Sequence, residues 1–261
     1  MELPLFILTM LAIGAGVGII SSALGVGGGL LMVPILAHLY PEIGINTIKG
    51  SSLIIIIAVA MYNTLRMNRG SMKNPFSLIA AIALGSLIGG FIGGKLTTLL
   101  SDEVSKWLFI FLVFLSALRT FFLKENVVHE SEVVKNNPKS FGIGALAGGI
   151  AGATGTGGGA LFVPLSLWSG IVSNKRAVAL SNAIMITSAS AAALAHILAP
   201  PSYEAPWTYG QANISFAPGI ILGAILFSPV GRHINHHLSF KRRRVVMGIL
   251  LLLITLRMLL R

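Results

Sequence analysis

An all-α, polytopic integral membrane protein of two homologous helical repeats is the fold class that three observations predict. The 261 residues are 54% hydrophobic and only 10% charged, against roughly 25% charged in soluble domains, so a water-facing surface cannot be covered. The charged residues that exist sit in short connectors between long charge-free runs. One segment is also written twice. Ala23-Leu24-Gly25-Val26-Gly27-Gly28-Gly29-Leu30-Leu31-Met32-Val33-Pro34 returns as Ala153-Thr154-Gly155-Thr156-Gly157-Gly158-Gly159-Ala160-Leu161-Phe162-Val163-Pro164, and in the same register Ser51-Ser52 returns as Ser181-Asn182. A glycine break at equivalent places in two halves of a hydrophobic chain is a sequence pointer to a transport site.

In chain order, the charge-free runs are Leu3 to Pro41, Gly50 to Leu65, Asn74 to Gly94, Trp107 to Leu118, Ser140 to Asn174, Ala177 to Tyr203, Ala205 to Gly231 and Val245 to Leu256. A spanning helix takes about 20 residues. The first and fifth runs are too long for one helix, and the glycines fall inside them. Each is read as a helix, a glycine-broken segment that crosses or re-enters, and a second short helix beginning near Leu30 or Ala160. With an eight-residue insertion the duplication continues, pairing Gly85 with Gly223, Gly93 with Gly231, Ser101 with Ser239, Lys106 with Arg244, and Arg119 with Arg257. Residues 1–123 then form the first transmembrane repeat and 140–261 the second, joined by the charged linker 124–139. Met1-Glu2-Leu3-Pro4 carries no basic segment and is read as the start of the first membrane segment, not as a cleaved signal.

Whether the broken elements cross the membrane or return to their own side decides the orientation of the halves. If they cross, the 19 Lys and Arg residues divide ten against nine. If they return, the division is fourteen against five, and cytoplasmic loops carry such an excess. The charges therefore favour inverted halves with both termini outside. One feature opposes this: Leu3 to Ser22 is long enough to cross fully before Gly25, whereas Phe141 to Thr154 measures only about 21 Å as helix.

The glycines carry the expected chemistry. In Gly25, Gly27, Gly28 and Gly29, and again in Gly155, Gly157, Gly158 and Gly159, missing Cβ atoms let the backbone leave the helix and expose amide N–H groups. The helix that follows adds unpaired N–H groups and the positive end of its dipole. An anion site results that needs no charged side chain. Helix-packing glycines more often recur every fourth residue, and three in a row followed by Pro34 or Pro164 read as an interruption. Thr154 and Thr156 add hydroxyls to the second loop only, for the ligand or for their own turn. Ser51, Ser52, Ser181 and Asn182 open the next helix of each half, with donors for the ligand, for capping or for a neighbouring helix. Lys49, paired with Ala179 in the second half, would attract an anion, but its long stem is read as snorkelling to the interface.

Other chemistry is set aside. The eight acidic residues lie in connectors or at segment ends, so no carboxylate relay is expected in mid-membrane. His38 and His196 lie near segment ends, and His196 is read as a satisfied interfacial residue rather than the carrier of a coupling proton. The chain has no cysteine; no metal site, cofactor fingerprint or nucleophile–base pair appears, so an enzyme is not expected. The basic residues are scattered through connectors and form no nucleic-acid face; the lipid bilayer is the expected partner.

At the two Gly-x-Gly-Gly-Gly segments, each followed by Val-Pro, and at the Ser-Ser and Ser-Asn pairs, the chain resembles the sulfite exporter TauE/SafE family over essentially its whole length. The resemblance implies multi-pass residence in the bacterial inner membrane and export of a small sulfur-containing anion such as sulfite, sulfoacetate or a related organosulfonate. The combined expectation is a transporter that works by alternating access, its anion held at the paired glycine breaks. An anion channel using the same loops, or a membrane scaffold whose glycines only pack helices, are the alternatives.

Overall fold

The computed structural model describes residues 3–24, 28–67, 76–121, 137–171 and 174–260. Ten α-helices run through them: α1 (Leu3–Leu24), α2 (Gly29–Leu39), α3 (Ile45–Met67), α4 (Phe76–Thr98), α5 (Asp102–Phe121), α6 (Asn137–Thr154), α7 (Gly159–Trp168), α8 (Asn174–Ile197), α9 (Ala217–His237) and α10 (Phe240–Leu259). Among the described residues there is no strand, only an isolated bridge between Thr208 and Asn213. Six helices, α1, α3, α4, α5, α8 and α9, are long and apolar enough to cross a membrane. The apolar side chains they expose, among them Leu84, Ile88, Leu222 and Leu226, suit a lipid environment.

Glycine determines which helices touch. The most extensive pairings are α4 with α6 and α1 with α9. On α4, a methyl group at Gly85, Gly89 or Gly93 would overlap the carbonyl oxygens of Phe141, Ala145 and Gly149 of α6; Gly144 and Gly148 of α6 meet Ile82 and Ser86 of α4 in the same way. Gly14 and Gly18 of α1 likewise lie on the backbone of Ile220 and Ala224 of α9. Small residues every fourth position let helix backbones approach this closely where burial of apolar surface from water is not available as a driving force.

Contacts between helix ends trace the path. Phe6 at the start of α1 stacks on Tyr40, just past α2, with centroids 6.3 Å apart, and Tyr40 stacks on Phe216 before α9 at 5.1 Å. Near the start of α2, Gly28 abuts Val17, partway along α1. The 22 residues of α1 therefore run the length of the bundle, and α2 starts partway along them and returns to the end where α1 began. At the opposite end the α6–α7 pair does the same: Lys139 Nζ, in the first turn of α6, donates to Ser169 O, just past α7, at 2.8 Å. A full-length α1 and a returning α2 coexist; α6 begins at Asn137, ahead of the expected Phe141, and is about 27 Å long.

Two boundaries differ from expectation. Ser51 and Ser52 lie beyond the first turn of α3, which starts at Ile45, and Ser181 and Asn182 lie inside α8, which starts at Asn174, so neither pair opens its helix. The charge-free run from Ala205 also does not become helix until Ala217. Pro206 interrupts it, soon after Pro200 and Pro201, which follow the end of α8, and Trp207 and Gly210 take positive φ angles of 66° and 55°. This non-helical connector packs onto α3: the Asn213 amide donates to Ser51 Oγ at 2.8 Å, and Thr47 and Ser202 share a hydroxyl hydrogen bond at 3.0 Å.

Candidate functional site

The second glycine break is fully described. Thr154 ends α6 and Gly159 starts α7; between them Gly155 and Gly157 have φ of 70° and 76°, and Gly158, the residue before α7, has φ of 87°. These are left-handed conformations that glycine adopts without steric cost. The first backbone bond of α7 runs from Phe162 N to Gly158 O at 2.8 Å, so the N–H groups of its first turn have no intrahelical acceptor. In the first half Gly28 precedes α2, with Leu31 N and Met32 N both donating to Gly28 O at 3.2 Å. Gly25 and Gly27 lie outside the described residues.

The two breaks meet. A Cβ on Gly29 would overlap the Gly155 carbonyl oxygen and come within 2.8 Å of Thr156 Cα. Ile56 of α3 fits between them, with its Cδ1 against Gly29 and its Cγ2 against Gly157. Ser52, Thr154, Thr156, Ser181 and Asn182 are all buried, as is Ser51.

Hydroxyl groups hold the carbonyl side of the second break. Ser52 Oγ donates to Gly155 O at 2.6 Å and shares its hydrogen with Lys49 O at 2.8 Å. Ser188 Oγ reaches Gly157 O at 3.0 Å, and Thr97 Oγ1 lies 3.2 Å from Ala153 O. Thr154 gives its hydrogen to Ile150 O at 2.7 Å, so in the 2.8 Å pair with Thr156 it is Thr156 that donates. Of the two uses foreseen for these threonines, this conformation displays bonding within their own turn. Ser51 donates to Thr47 O at 2.7 Å while accepting from Asn213. The N–H groups that precede Leu31 in α2 and Phe162 in α7 have no acceptor within their own helix.

Lys49 does not snorkel, contrary to expectation; it is 0% exposed. Its Nζ donates to Ser105 O at 2.9 Å, Ser105 Oγ at 2.6 Å and Ala153 O at 3.0 Å, and lies 6.0 Å from the centre of the Phe109 ring. Its charge state follows from counting hydrogens. Asn46 Nδ2 donates to Leu100 O at 2.9 Å, leaving Asn46 Oδ1 to accept from Ser105 Oγ at 2.5 Å. The single Ser105 hydroxyl hydrogen is thus spent, and Lys49 must supply three hydrogens to three acceptors, which only an ammonium has. That charge sits at the C-terminal, partially negative end of α6. Sequence reasoning missed this, although Asn46, Lys49 and Ser52 recur every third residue and so form one polar stripe on α3.

His196 is corrected as well. It is 0% exposed rather than interfacial, and neither ring nitrogen has a hydrogen-bond partner. Among the described residues no group of three or more acidic or histidine side chains is positioned to hold a metal ion.

A bundle with six membrane-capable helices, lipid-facing apolar side chains and paired helix breaks at its centre defines a multi-pass integral membrane protein of the transporter class. Residues 10–258 match the profile of the family described as Sulfite exporter TauE/SafE, and the chain belongs to that family. It is 31% identical to a probable membrane transporter protein of Haemophilus influenzae, over 61% of this chain and 60% of that one. Over nearly full length it is 24% identical to the probable membrane transporter protein YunE of Bacillus subtilis, covering 94% of both chains. It is 28% identical to the probable membrane transporter protein MJ0441 of Methanocaldococcus jannaschii, covering 99% of this chain and 97% of the relative. No solved structure matches.

Proposed function

We propose that the protein exports a small sulfur-containing oxyanion, such as sulfite, sulfoacetate or a related organosulfonate, across the bacterial inner membrane by alternating access. The observation that carries this reading is the contact of Gly29 with Gly155 and Thr156, which brings the N-terminal ends of α2 and α7 together inside a membrane bundle. Such ends offer N–H donors and positive dipole to a compact oxyanion, and broken helices meeting at the interface of two repeats are how many carriers build a substrate site. Gly25, Gly27, Gly28 and Gly29 with Gly155, Gly157, Gly158 and Gly159 provide the donors. Ser51, Ser52, Thr154 and Thr156 hold the loops at the anion, and Ser181 and Asn182 serve the first break as Ser51 and Ser52 serve the second.

Residues 1–123 and 140–261 act as two inverted repeats joined by 124–139, and the helix order supports this. One long helix, one short and three long occur from α1 to α5 and again from α6 to α10. The α1–α2 pair returns to one end of the bundle and α6–α7 to the other, and among the described residues Arg66, Arg119, Lys139, Arg232 and Lys241 to Arg244 lie near the helix ends of the second side, as expected of a cytoplasmic face.

The test is efflux of sulfite, sulfoacetate, sulfate and chloride from proteoliposomes, with Gly28→Val and Gly158→Val beside the parent protein. Saturable movement of a sulfur anion, lost in both variants while they remain folded, is the expected result. Flux that never saturates would identify a channel instead, and flux retained in both variants would remove the breaks from the site.

A further inference from the structure

A groove of about 390 Å³ runs between α2 and α10. Each wall is a stripe at helical spacing. Leu31, Pro34, Ile35 and His38 stand at i, i+3, i+4 and i+7 on α2, and Leu250, Leu253, Ile254 and Arg257 repeat that spacing on α10. Residues so spaced share one helix face, and seven residues of helix rise about 10 Å, so each wall is apolar over that length and polar only at its last member. Leu253 is 58% exposed and Leu39, at the rim, 44%, which leaves the groove open to the surroundings of the bundle.

The two polar members meet at one end. Arg257 Nη2 lies 2.8 Å from His38 Nε2; a guanidinium can only donate, so this ring nitrogen accepts and the imidazole hydrogen sits on Nδ1. What the pair has left to offer is donors alone, around one fixed positive charge. No carboxylate pairs with Arg257 among the described residues. In the neighbouring cavity Asp102 accepts from Asn46 N at 3.0 Å, and Glu103 shares the lining with Lys106. His38 stands two residues before Tyr40, which stacks on Phe6 at the start of α1, so the charged end of the groove lies at the end of the bundle and the apolar walls run inward from it.

Charge and shape together select the occupant. The walls offer nothing polar to a soluble anion, and a purely apolar chain leaves the donors at Arg257 unused. An acyl chain below an anionic phosphate satisfies both. Arginine is the side chain suited to phosphate, and the walls reach about two-thirds of the way through one leaflet of a roughly 30 Å hydrocarbon core. We propose that the α2–α10 groove binds an anionic phospholipid, with one acyl chain along its walls and the phosphate on Arg257 and His38. The inner end of the groove is Leu31, whose N donates to Gly28 O, so the bound chain braces the returning helix from the membrane surface to the glycine break. The site is independent of which anion is transported.

The experiment is native mass spectrometry of the full chain released from detergent, titrated with three probes. Dioleoylphosphatidylglycerol carries chain and phosphate, dioleoylglycerol the chains without phosphate, and glycerol phosphate the phosphate without chains. The parent is expected to retain one phosphatidylglycerol about tenfold more tightly than diacylglycerol, the difference that hydrogen bonds to a charged group supply, and to retain no glycerol phosphate. Arg257→Ala is expected to lose that tenfold, whereas Lys95→Ala, which removes an exposed cation of α4 that lines no groove, loses nothing. Leu253→Trp fills the groove from an exposed position and is expected to bind neither lipid. Phosphatidylglycerol held at parental affinity in Arg257→Ala or in Leu253→Trp would overturn the proposal, as would diacylglycerol bound as tightly as phosphatidylglycerol. Glycerol phosphate bound as tightly as the lipid would remove the acyl chain from the site. A parental dimer that Leu253→Trp dissociates would give the groove to a second copy of the chain and refute the lipid. Should Arg257→Ala not fold, the comparison of the two lipids on the parent decides.

Discussion

Replacing Gly158 by alanine isolates the backbone of the break from its chemistry. Gly158 has φ of 87°, and forcing an L-residue into the left-handed region costs roughly 1–2 kcal/mol. Its new Cβ would stand 3.0 Å from Ala151 Cβ and 3.2 Å from Ala147 O, tight enough to add about 1 kcal/mol of overpacking. The lower entropy of the unfolded alanine chain returns about 0.4–1 kcal/mol. A net loss of about 2 kcal/mol remains, which for a chain of this length lowers Tm by about 4–8 °C. Gly142 is the matched control, because it lies inside α6 with nothing within 4 Å of its Cβ position; alanine there gains about 0.5–1 kcal/mol of helix propensity. Thermal unfolding of both variants in one detergent, followed by near-UV circular dichroism, measures the difference. If Gly158→Ala melts with the parent or above it, residue 158 does not hold a left-handed turn and the helix is not broken as described.

Two further outcomes are expected. Ser52→Ala removes the donor to Gly155 O and leaves a buried carbonyl unpaired, at a cost of about 1–3 kcal/mol; urea or thermal unfolding should register it, and Thr98→Ala, whose hydroxyl bond is exposed, should register nearly nothing. Because the chain has no cysteine, single cysteines at Glu42 and Lys139 report the two returning hairpins, and an impermeant maleimide applied to intact cells should label Glu42→Cys but reach Lys139→Cys only after permeabilisation. Labelling of both from one face would reject inverted halves.

How much of this was legible in the sequence depended on the range of the interaction. The left-handed turn at Gly155–Gly158 was readable because conformational freedom is a local property, whereas Gly28 has a helical φ of -67°; the α4–α6 contact is written as glycine at every fourth position, 85, 89 and 93. Lys49 was misread because its acceptors are remote: Ser105 lies 56 residues away and Ala153 lies 104, and no local pattern names a carbonyl on another helix. His196 was misread for the same reason, since its burial is completed by Gly50 and by the Gln211 connector. That connector was itself hidden, because lack of charge marks residues 205–216 as apolar but not as helical, and Pro206 near its start disfavours helix.

Two kinds of glycine divide the work, and on the proposed alternating-access reading the division limits how the cycle can proceed. Gly14, Gly18, Gly85, Gly89 and Gly93 weld α1 to α9 and α4 to α6 backbone against backbone, so each broken hairpin is fixed to a long helix from the other half of the chain. Interfaces this close do not slide without opening voids. Across the centre, single side chains add hydrogen bonds to the backbone contacts: Ser52 to Gly155, Lys49 to Ala153, and Ser86 to Thr187 at 2.6 Å. Each is a hydrogen bond that water or an anion can replace at little net cost. Motion therefore has to separate the α6–α7 break from α3 by exchanging these bonds while the welded pairs move as units. The ammonium of Lys49 is the strongest of the links, and because Ala179 stands at the equivalent position of the other half, the two ends of the cycle are held unequally.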